Sequence, residues 1–541
     1  MWGDPMKQPQ WLKNAVFYQV YPQSFSDRNG DGIGDIPGLI DRLDYIRDLG
    51  CDALWLNPCF VSPFNDAGYD ISDYYKVAPR YGTNADLKRL FRRAHERKLR
   101  VLLDFVPAHT SIEHPWFKAS CRPEKNACTD RYLWTDSPWT WNEPAFTFIR
   151  GFSDREGCFL PSFFWSQPAL NFGFAQPDPA KPWQYPINHP ACKATRQAML
   201  DVMRFWLEAG CDGFRVDMAS SLIKNDPGWK ETAQLWRGVR RWLDRDWPQA
   251  VLVAEWSNPT AAINAGFHMD FMLHLNDIAY NYLFRQEKER NLFCDPNDHS
   301  FFDRKGLGDI TAFIDSYGRH LDATRHKGYI SIPTGCHDLS RISLCRTPKE
   351  VEIIFAFILT MPGVPFIYYG DEIGMRHQTG LTSKEGGFCR TGARTPMQWS
   401  RATNAGFSTA PANRLYLPVD TRKNAPCVAV QQKNPRSLLN TVKTLIALRK
   451  HSNAIGSDGT FEPLYAKKRR YPFVYLRRDK KDAYLVALNP SDAPQTAAFT
   501  LPLASADLRH ALGTPLVPTR RGRRYRLEMP PISWVVFRIV S

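Results

Sequence analysis

The chain has 541 residues, 43% hydrophobic and 13% aromatic, which is the composition of a globular protein with more than one domain. Its formal charge is +15, but the base-rich stretches (KKRRYPFVYLRRDKK from Lys467, RRGRRYR from Arg520) lie among β-like apolar runs near the C-terminus. They read as a solvated basic face, and no nucleic-acid partner is expected. Twelve cysteines at scattered spacings, with no CxxC pair, exclude a zinc motif and a disulfide framework and suit free thiols in a cytoplasmic protein.

The opening residues, MWGDPMKQPQWLKN, carry no apolar run of the secretory kind. From there, short apolar runs alternate with amphipathic helical stretches: AVFYQVYP before IPGLIDRLDYIRDLG, CDALWLNP before NADLKRLFRRAHERKL, then RVLLDFVPAH. Between the first run and its helix lies DRNGDGIGD, in which Asp27, Asn29, Asp31 and Asp35 recur at alternate positions with glycines between. That density of oxygen ligands resembles the front half of an EF-hand loop and suits a hard cation such as Ca2+. The rhythm breaks after His109. Residues 110–181 are rich in Pro, Trp, Phe and Ser without helical period, too long for a loop, and are read as an inserted domain. It resumes with TRQAMLDVMRFWLEAG before CDGFRVDM and ETAQLWRGVRRWLDR before AVLVAEWS. The apolar stretch IIFAFILTMPGVPFIYYG (353–370) imitates a membrane span, but Pro362, Gly363 and Pro365 break it into a helix and a buried strand, so no membrane is expected. From about residue 456 the pattern turns β-like to the end. The expected fold class is α/β: a (β/α)8 TIM barrel (1–109 and 182–455), an inserted domain B after strand 3 (110–181) and a C-terminal antiparallel β-sandwich (456–541).

In such a barrel the chemistry sits at the C-terminal strand ends. Asp104 and His109 end one run, Arg215 and Asp217 another, Glu255 a third, and His337 and Asp338 a fourth. Two carboxylates across a glycosidic bond are the equipment of glycoside hydrolysis. Arg215 and Asp217 are two apart, on one strand face, so Arg215 is expected to keep Asp217 ionised as a nucleophile. Glu255, after the apolar VLVA, is expected to have its pKa raised by burial, as a general acid needs.

These residues also carry a resemblance. LLDFVPAH, QPALN, GFRVD, VAEW and CHD, together with GYDISDY, PGVPFIYYGDEIG and RTPMQW, resemble in order and spacing the signatures of glycoside hydrolase family 13, the α-amylase superfamily, in its oligo-1,6-glucosidase and α-glucosidase branch. The resemblance implies a retaining mechanism with Asp217 as nucleophile, Glu255 as acid/base and Asp338 as transition-state stabiliser. It implies substrate contacts from His109, Arg215 and His337, and from Asp70 with Arg394 as the pair that grips a terminal glucose. It also makes the DRNGDGIGD stretch a structural calcium loop to which the carbonyl of Ile33 adds a ligand.

Four positions depart from the family pattern: Ala108 and Cys336 stand where Asn is usual, Ala169 where Asp is usual, and Met218 where linkage preference is marked. The expected function is an exo-acting α-glucosidase on short oligosaccharides or disaccharides, acting as a monomer or homodimer. The alternative is an α-glucosyl transferase or isomerase of the sucrose- or trehalose-converting type with the same acids. A non-catalytic homologue is disfavoured, because all three acids are present.

Overall fold

A computed structural model describes residues 8–273, 279–284, 300–503 and 507–540. Eight short parallel strands form one sheet: β1 (Phe17–Val20), β2 (Ala53–Leu56), β3 (Arg100–Phe105), β4 (Gly213–Val216), β5 (Val251–Ala254), β6 (Met269–Phe271), β7 (Tyr329–Ser331) and β8 (Phe366–Tyr368). Each lies beside the next in sequence, β8 pairs with β1, and a bridge from Pro333 to Phe366 joins the end of β7 to β8. The sheet thus curls into the barrel that the alternation implies. Both faces of the strands are buried, which is why they read as continuous apolar runs and not as alternating ones. Strand β6 was not foreseen, since three residues from the stretch HMDF offer no period to read.

The helices that wrap the barrel include α1 (Asn84–His95), α2 (Pro190–Ala209), α3 (Lys230–Asp246), α4 (Ile310–Thr324), α5 (Pro348–Thr360) and α6 (Leu438–His451). Helix α1 shows the local logic. Thr83 and Asp86 form a capping box, Leu87, Leu90, Phe91 and Ala94 make one buried stripe, and Arg92, Arg93 and His95 sit near the negative end of the dipole. Helix α5 has no polar face for a different reason: it is enclosed between the barrel and the C-terminal strands and buried along its length. Among the described residues no helix is long and apolar enough to cross a membrane.

Between β3 and α2 the chain is mostly irregular, with a short helix (Pro115–Ser120), a small hairpin (Asn142–Glu143 and Phe146–Thr147) and a core of its own built on Leu133, Phe148, Leu160, Phe174 and Trp183. The bridges His109 to Ala169 and Phe174 to Lys224 tie this insertion back to the mouth of the barrel. After α6 come eight antiparallel strands: β9 (Thr460–Lys467), β10 (Arg470–Arg478), β11 (Ala483–Asn489), β12 (Gln495–Thr500), β13 (Asp507–Gly513), β14 (Thr519–Arg521), β15 (Arg524–Met529) and β16 (Ser533–Val540). They form a five-stranded sheet (β9-β10-β11-β16-β13) and a three-stranded one (β12-β15-β14) that share an apolar core.

The reading of every cysteine as a free thiol is corrected at one place: Cys345 is disulfide-bonded. Scattered sequence spacing does not forbid a pair that the fold brings together. Cys336, in the site described next, is a free and buried thiol.

Candidate active site

Gly213 opens β4 with φ at 137°, and a Cβ there would lie 2.1 Å from the Val251 carbonyl oxygen, so only glycine lets β4 and β5 start side by side. Two residues on, Arg215 stands at the centre of the acids. Its Nη1 donates to Asp104 Oδ1 at 2.9 Å and to Asp217 Oδ1 at 2.8 Å, and its Nη2 meets Glu255 Oε1 at 2.6 Å. Asp104 is fixed in turn by Trp55 Nε1 and the Tyr69 hydroxyl, both at 2.9 Å. Glu255 Oε2 accepts from the backbone N–H of Met218 at 3.0 Å, and Met218 adopts φ of 46°, a strained value for a residue with a side chain.

Arg215 meets Asp217 as expected, but it does not act on that carboxyl unopposed. Burial pushes the Asp217 carboxyl well up, Glu255 pushes it further, and Arg215 opposes them. The cause is geometric, since one guanidinium serves three carboxylates. Arg215 was also expected to touch the sugar. It is 2% exposed and its Nη donors are engaged by the acids, so it organises them from behind.

Asp338 is held from three sides. His337 Nε2 lies 3.0 Å from Oδ2, while Arg390 Nη1 at 2.5 Å and Arg394 Nη2 at 3.1 Å both donate to Oδ1. Burial would raise this carboxyl, but the three cationic or donating neighbours hold it well below the usual carboxylate range. His337 Nδ1 receives the side-chain amides of Gln19 and Asn57, each at 3.1 Å, so its proton sits on Nε2 and faces Asp338. Its ring stacks on Tyr69 at 5.1 Å. His109 is buried, and burial lowers its pKa to about 3 against a weak contact with the Tyr69 backbone. A neutral imidazole without a strong hydrogen-bond partner is a ready contact for a hydroxyl.

The pairing of Asp70 with Arg394 is corrected. Both Asp70 oxygens are taken up by its own loop: Oδ1 by Ser62 Oγ and Asp66 N, Oδ2 by Asn65 N. The carboxylate that faces the arginines is Asp66, four residues earlier. It lies 4.0 Å from Arg390 and accepts from Gln167 Nε2 at 2.8 Å. Burial and then Asp338 push it up to about 6, against Arg394, Gln167 and Arg390. Asp66, Gln167 and Arg390 were therefore missed. Each stands within or beside a quoted motif (NDAGYD, QPALN, CRTGARTPMQW), but nothing in the spacing singles it out. Of the departures, Cys336 lends its sulfur to the Asp338 N–H at 3.4 Å, and Met218 lies 3.6 Å from Ser162 Oγ.

In the 27–35 loop, Asp27 accepts from the N–H groups of Gly30 and Gly32, and Asp35 from those of Arg28, Asn29 and Gly38. The all-oxygen donor set is of the kind calcium takes, and each carboxylate keeps a lone pair beyond those bonds. Among the described residues the only three His, Cys, Asp or Glu side chains whose ligand atoms lie within 4.8 Å of one another are Cys336, His337 and Asp338. A cation in the loop would therefore need Asn29 and the Ile33 carbonyl as well as the aspartates.

Fold and site together define a carbohydrate-active barrel enzyme. The family model described as "Alpha amylase, catalytic domain" matches residues 19–458, and the chain belongs to this α-amylase family, glycoside hydrolase family 13. It is 33% identical over 535 residues to the trehalose synthase/amylase TreS of Mycobacterium tuberculosis, covering 91% of this chain and 84% of that protein. To the oligo-1,6-glucosidase of Heyndrickxia coagulans it is 29% identical over 555 residues, covering 91% and 94%. The crystal structure of an α-glucosyl transfer enzyme superposes with a TM-score of 0.77 at 27% identity, covering 98% of this chain and 100% of that one.

Proposed function

We propose that the protein is a retaining α-glucosyl-moving enzyme that converts one glucosyl disaccharide into another, of the trehalose-synthase type. The observation that carries this reading is the cluster of Asp338, His337, Arg390, Arg394 and Asp66 beside the linked acids Asp217 and Glu255. Such a group suits one terminal glucose and would block a longer chain from passing through. The relatives named for trehalose synthesis and glucosyl transfer support the choice of transfer over hydrolysis.

The chemistry follows from the acids. With Asp217 as the carboxylate and Glu255 as the acid, Asp217 attacks the anomeric carbon. Glu255 protonates the glycosidic oxygen, which leaves with the second sugar. The glucosyl unit is then bound to Asp217 through an ester. Glu255 next takes a proton from a different hydroxyl of the departed sugar, that oxygen attacks the anomeric carbon, and Asp217 is released. Asp338 binds sugar hydroxyls and favours the oxocarbenium-like transition state. His109, His337, Arg394 and Asp66 hold the glucose. Asp27, Asn29, Asp31, Ile33 and Asp35 would hold a calcium ion that braces the connection after β1.

The second reading, hydrolysis by an exo-α-glucosidase, is favoured by the likeness to an oligo-1,6-glucosidase. It differs in one step, with water in place of the acceptor sugar. Incubation with maltose, trehalose, sucrose and isomaltose, with products separated by chromatography over time, tests both. A new disaccharide that accumulates ahead of free glucose supports transfer. Glucose released one unit at a time from the first minutes supports hydrolysis. Rapid internal cleavage of starch would overturn the enclosed pocket altogether.

A further inference from the structure

Arg80 lies outside the acids, on the turn Pro79–Tyr81 ahead of α1, yet it touches both loops that enclose the pocket. On one side its guanidinium carbon sits 3.2 Å from the ring centroid of Phe64, two residues before Asp66. On the other, Nη1 donates to Glu385 Oε1 at 2.8 Å, five residues before Arg390. Nη2 reaches Gln23 Oε1 at 3.1 Å, which ties the same side chain to the loop after β1. Glu385 adopts φ of 49° and Gly386 of 62°. A Cβ on Gly386 would fall 3.0 Å from the Asn65 carbonyl oxygen and 2.9 Å from Phe164, so the two loops meet there almost backbone to backbone. Arg390 then folds back on its own loop, Nη2 to the Gly386 carbonyl at 2.7 Å, while Nη1 reaches Asp338.

We propose that Arg80 and Glu385 form a latch that joins the 62–70 loop to the 380–394 loop and thereby sets where Asp66 and Arg390 stand against Asp338. Arg80 is in this sense a positioning residue for the glucosyl pocket, an inference that rests on the reading of Asp338 and Asp66 as sugar ligands. An exposed ion pair would do little of this work. Here the side chains are 18% and 9% exposed, and the guanidinium is also stacked on an aromatic ring. The latch has two separable halves, the pair with Glu385 and the stack on Phe64. Loss of either leaves the loops free to drift apart, and Arg390 has no other tie to the 62–70 loop than its 4.0 Å approach to Asp66 among the contacts described.

The test compares wild type with Arg80→Gln, Glu385→Gln and the double variant. Glu385→Gln keeps the side-chain shape and an acceptor oxygen, so it remains informative if Arg80→Gln folds poorly. The readouts are KM and kcat on 4-nitrophenyl α-glucoside and the Kd of the glucose mimic 1-deoxynojirimycin by calorimetry. Each single variant is expected to raise KM and Kd roughly tenfold with a smaller fall in kcat. The double variant should be no worse than the poorer single, since one latch is broken twice. Unchanged KM and Kd alongside a lower melting temperature, or losses that add in the double variant, would overturn the latch. A wild-type protein that binds no deoxynojirimycin overturns the reading of the pocket and the latch with it. Wild-type binding matched by both variants overturns the latch alone.

Discussion

Arg215 meets Glu255 at 2.6 Å through one nitrogen and Asp217 at 2.8 Å through the other, so the proposed acid and the proposed nucleophile hang from a single guanidinium. Glu255 also accepts from the Met218 N–H at 3.0 Å, while burial and the Glu255 charge push the Asp217 carboxyl up. The strand pattern that places Arg215 and Asp217 on one face thus fixes the acids relative to each other more than it fixes their charge.

Arg215→Lys should lower kcat at least about a hundredfold, because an ammonium cannot span two carboxylates as a fork does. The melting temperature should fall as well, since buried acids lose a partner. Single-turnover kinetics on an aryl α-glucoside check the first effect; near-normal turnover would mean that the acids hold their places without the arginine.

Asp217→Asn should abolish turnover, as the amide keeps the shape but cannot attack. Glu255→Gln should lose at least about a thousandfold on a disaccharide and recover much of that on 4-nitrophenyl α-glucoside, whose leaving group needs no proton. Equal losses on both substrates would remove Glu255 from the acid role.

Asp66 and Asp70 should separate cleanly. Asp66→Asn is expected to raise KM about tenfold or more, through loss of a charged hydrogen-bond acceptor for the sugar. Asp70→Asn should chiefly lower the melting temperature, because three donors of the 62–66 loop lose a full carboxylate. Steady-state kinetics and thermal scans on the two variants decide it, and the reverse pattern would restore Asp70 as the sugar ligand.

Glu372 predicts a pH dependence of stability. It is buried with Oε1 accepting from Tyr18 at 2.8 Å and Tyr45 at 2.5 Å, and burial raises its pKa to about 7, against those two hydrogen bonds. The folded state therefore binds this proton more tightly than the unfolded state. Stability should be greatest below the ordinary glutamate pKa and fall as pH rises through about 7, by about 3 kcal/mol in total. Melting temperatures between pH 5 and 9 should drop less steeply in Glu372→Gln than in wild type. Parallel curves would place the titrating group elsewhere.

If the 27–35 loop holds calcium, chelation should lower the melting temperature more than it lowers kcat. A site filled at a hundredfold excess over Kd contributes about 2.7 kcal/mol. Thermal scans with EGTA, with and without added calcium, check it, and Asp31→Ala should abolish the difference.

Much of the fold was open to reading because its signals are periodic. The two-face burial of the strands and the stripe of α1 announce themselves in composition, and the strand ends then point at Asp217, Glu255 and Asp338. The enclosing loops have no such period. Asp66 and Asp70 stand in one short stretch with the same chemistry, and the path of the chain decides between them. Phe64 and Ala67 take φ of 62° and 52°, which folds the loop so that Asp70 catches the backbone of Asn65 and Asp66. Arg390 went unread for the same reason: its position depends on a turn at Glu385 and Gly386 and on a partner three hundred positions earlier in the chain. The surroundings of Asp217 were read incompletely, because Arg215 was counted without Asp104 and Glu255, which share it.

Helix α5 ends among buried cations. Arg449, from α6, donates to the carbonyls of Leu359, Met361 and Gly363, and Arg477, from β10, donates to that of Thr360. Burial lowers both guanidiniums, to about 9 and about 10, and their hydrogen-bond partners are carbonyls and one serine hydroxyl. The C-terminus of a helix is where such charges are best tolerated. The strands after α6 are therefore no detachable appendage. Cutting them away would strip Arg477 from the helix end and lay one of the most apolar helices of the barrel open to water, so the catalytic half of this chain cannot be trimmed to a barrel alone.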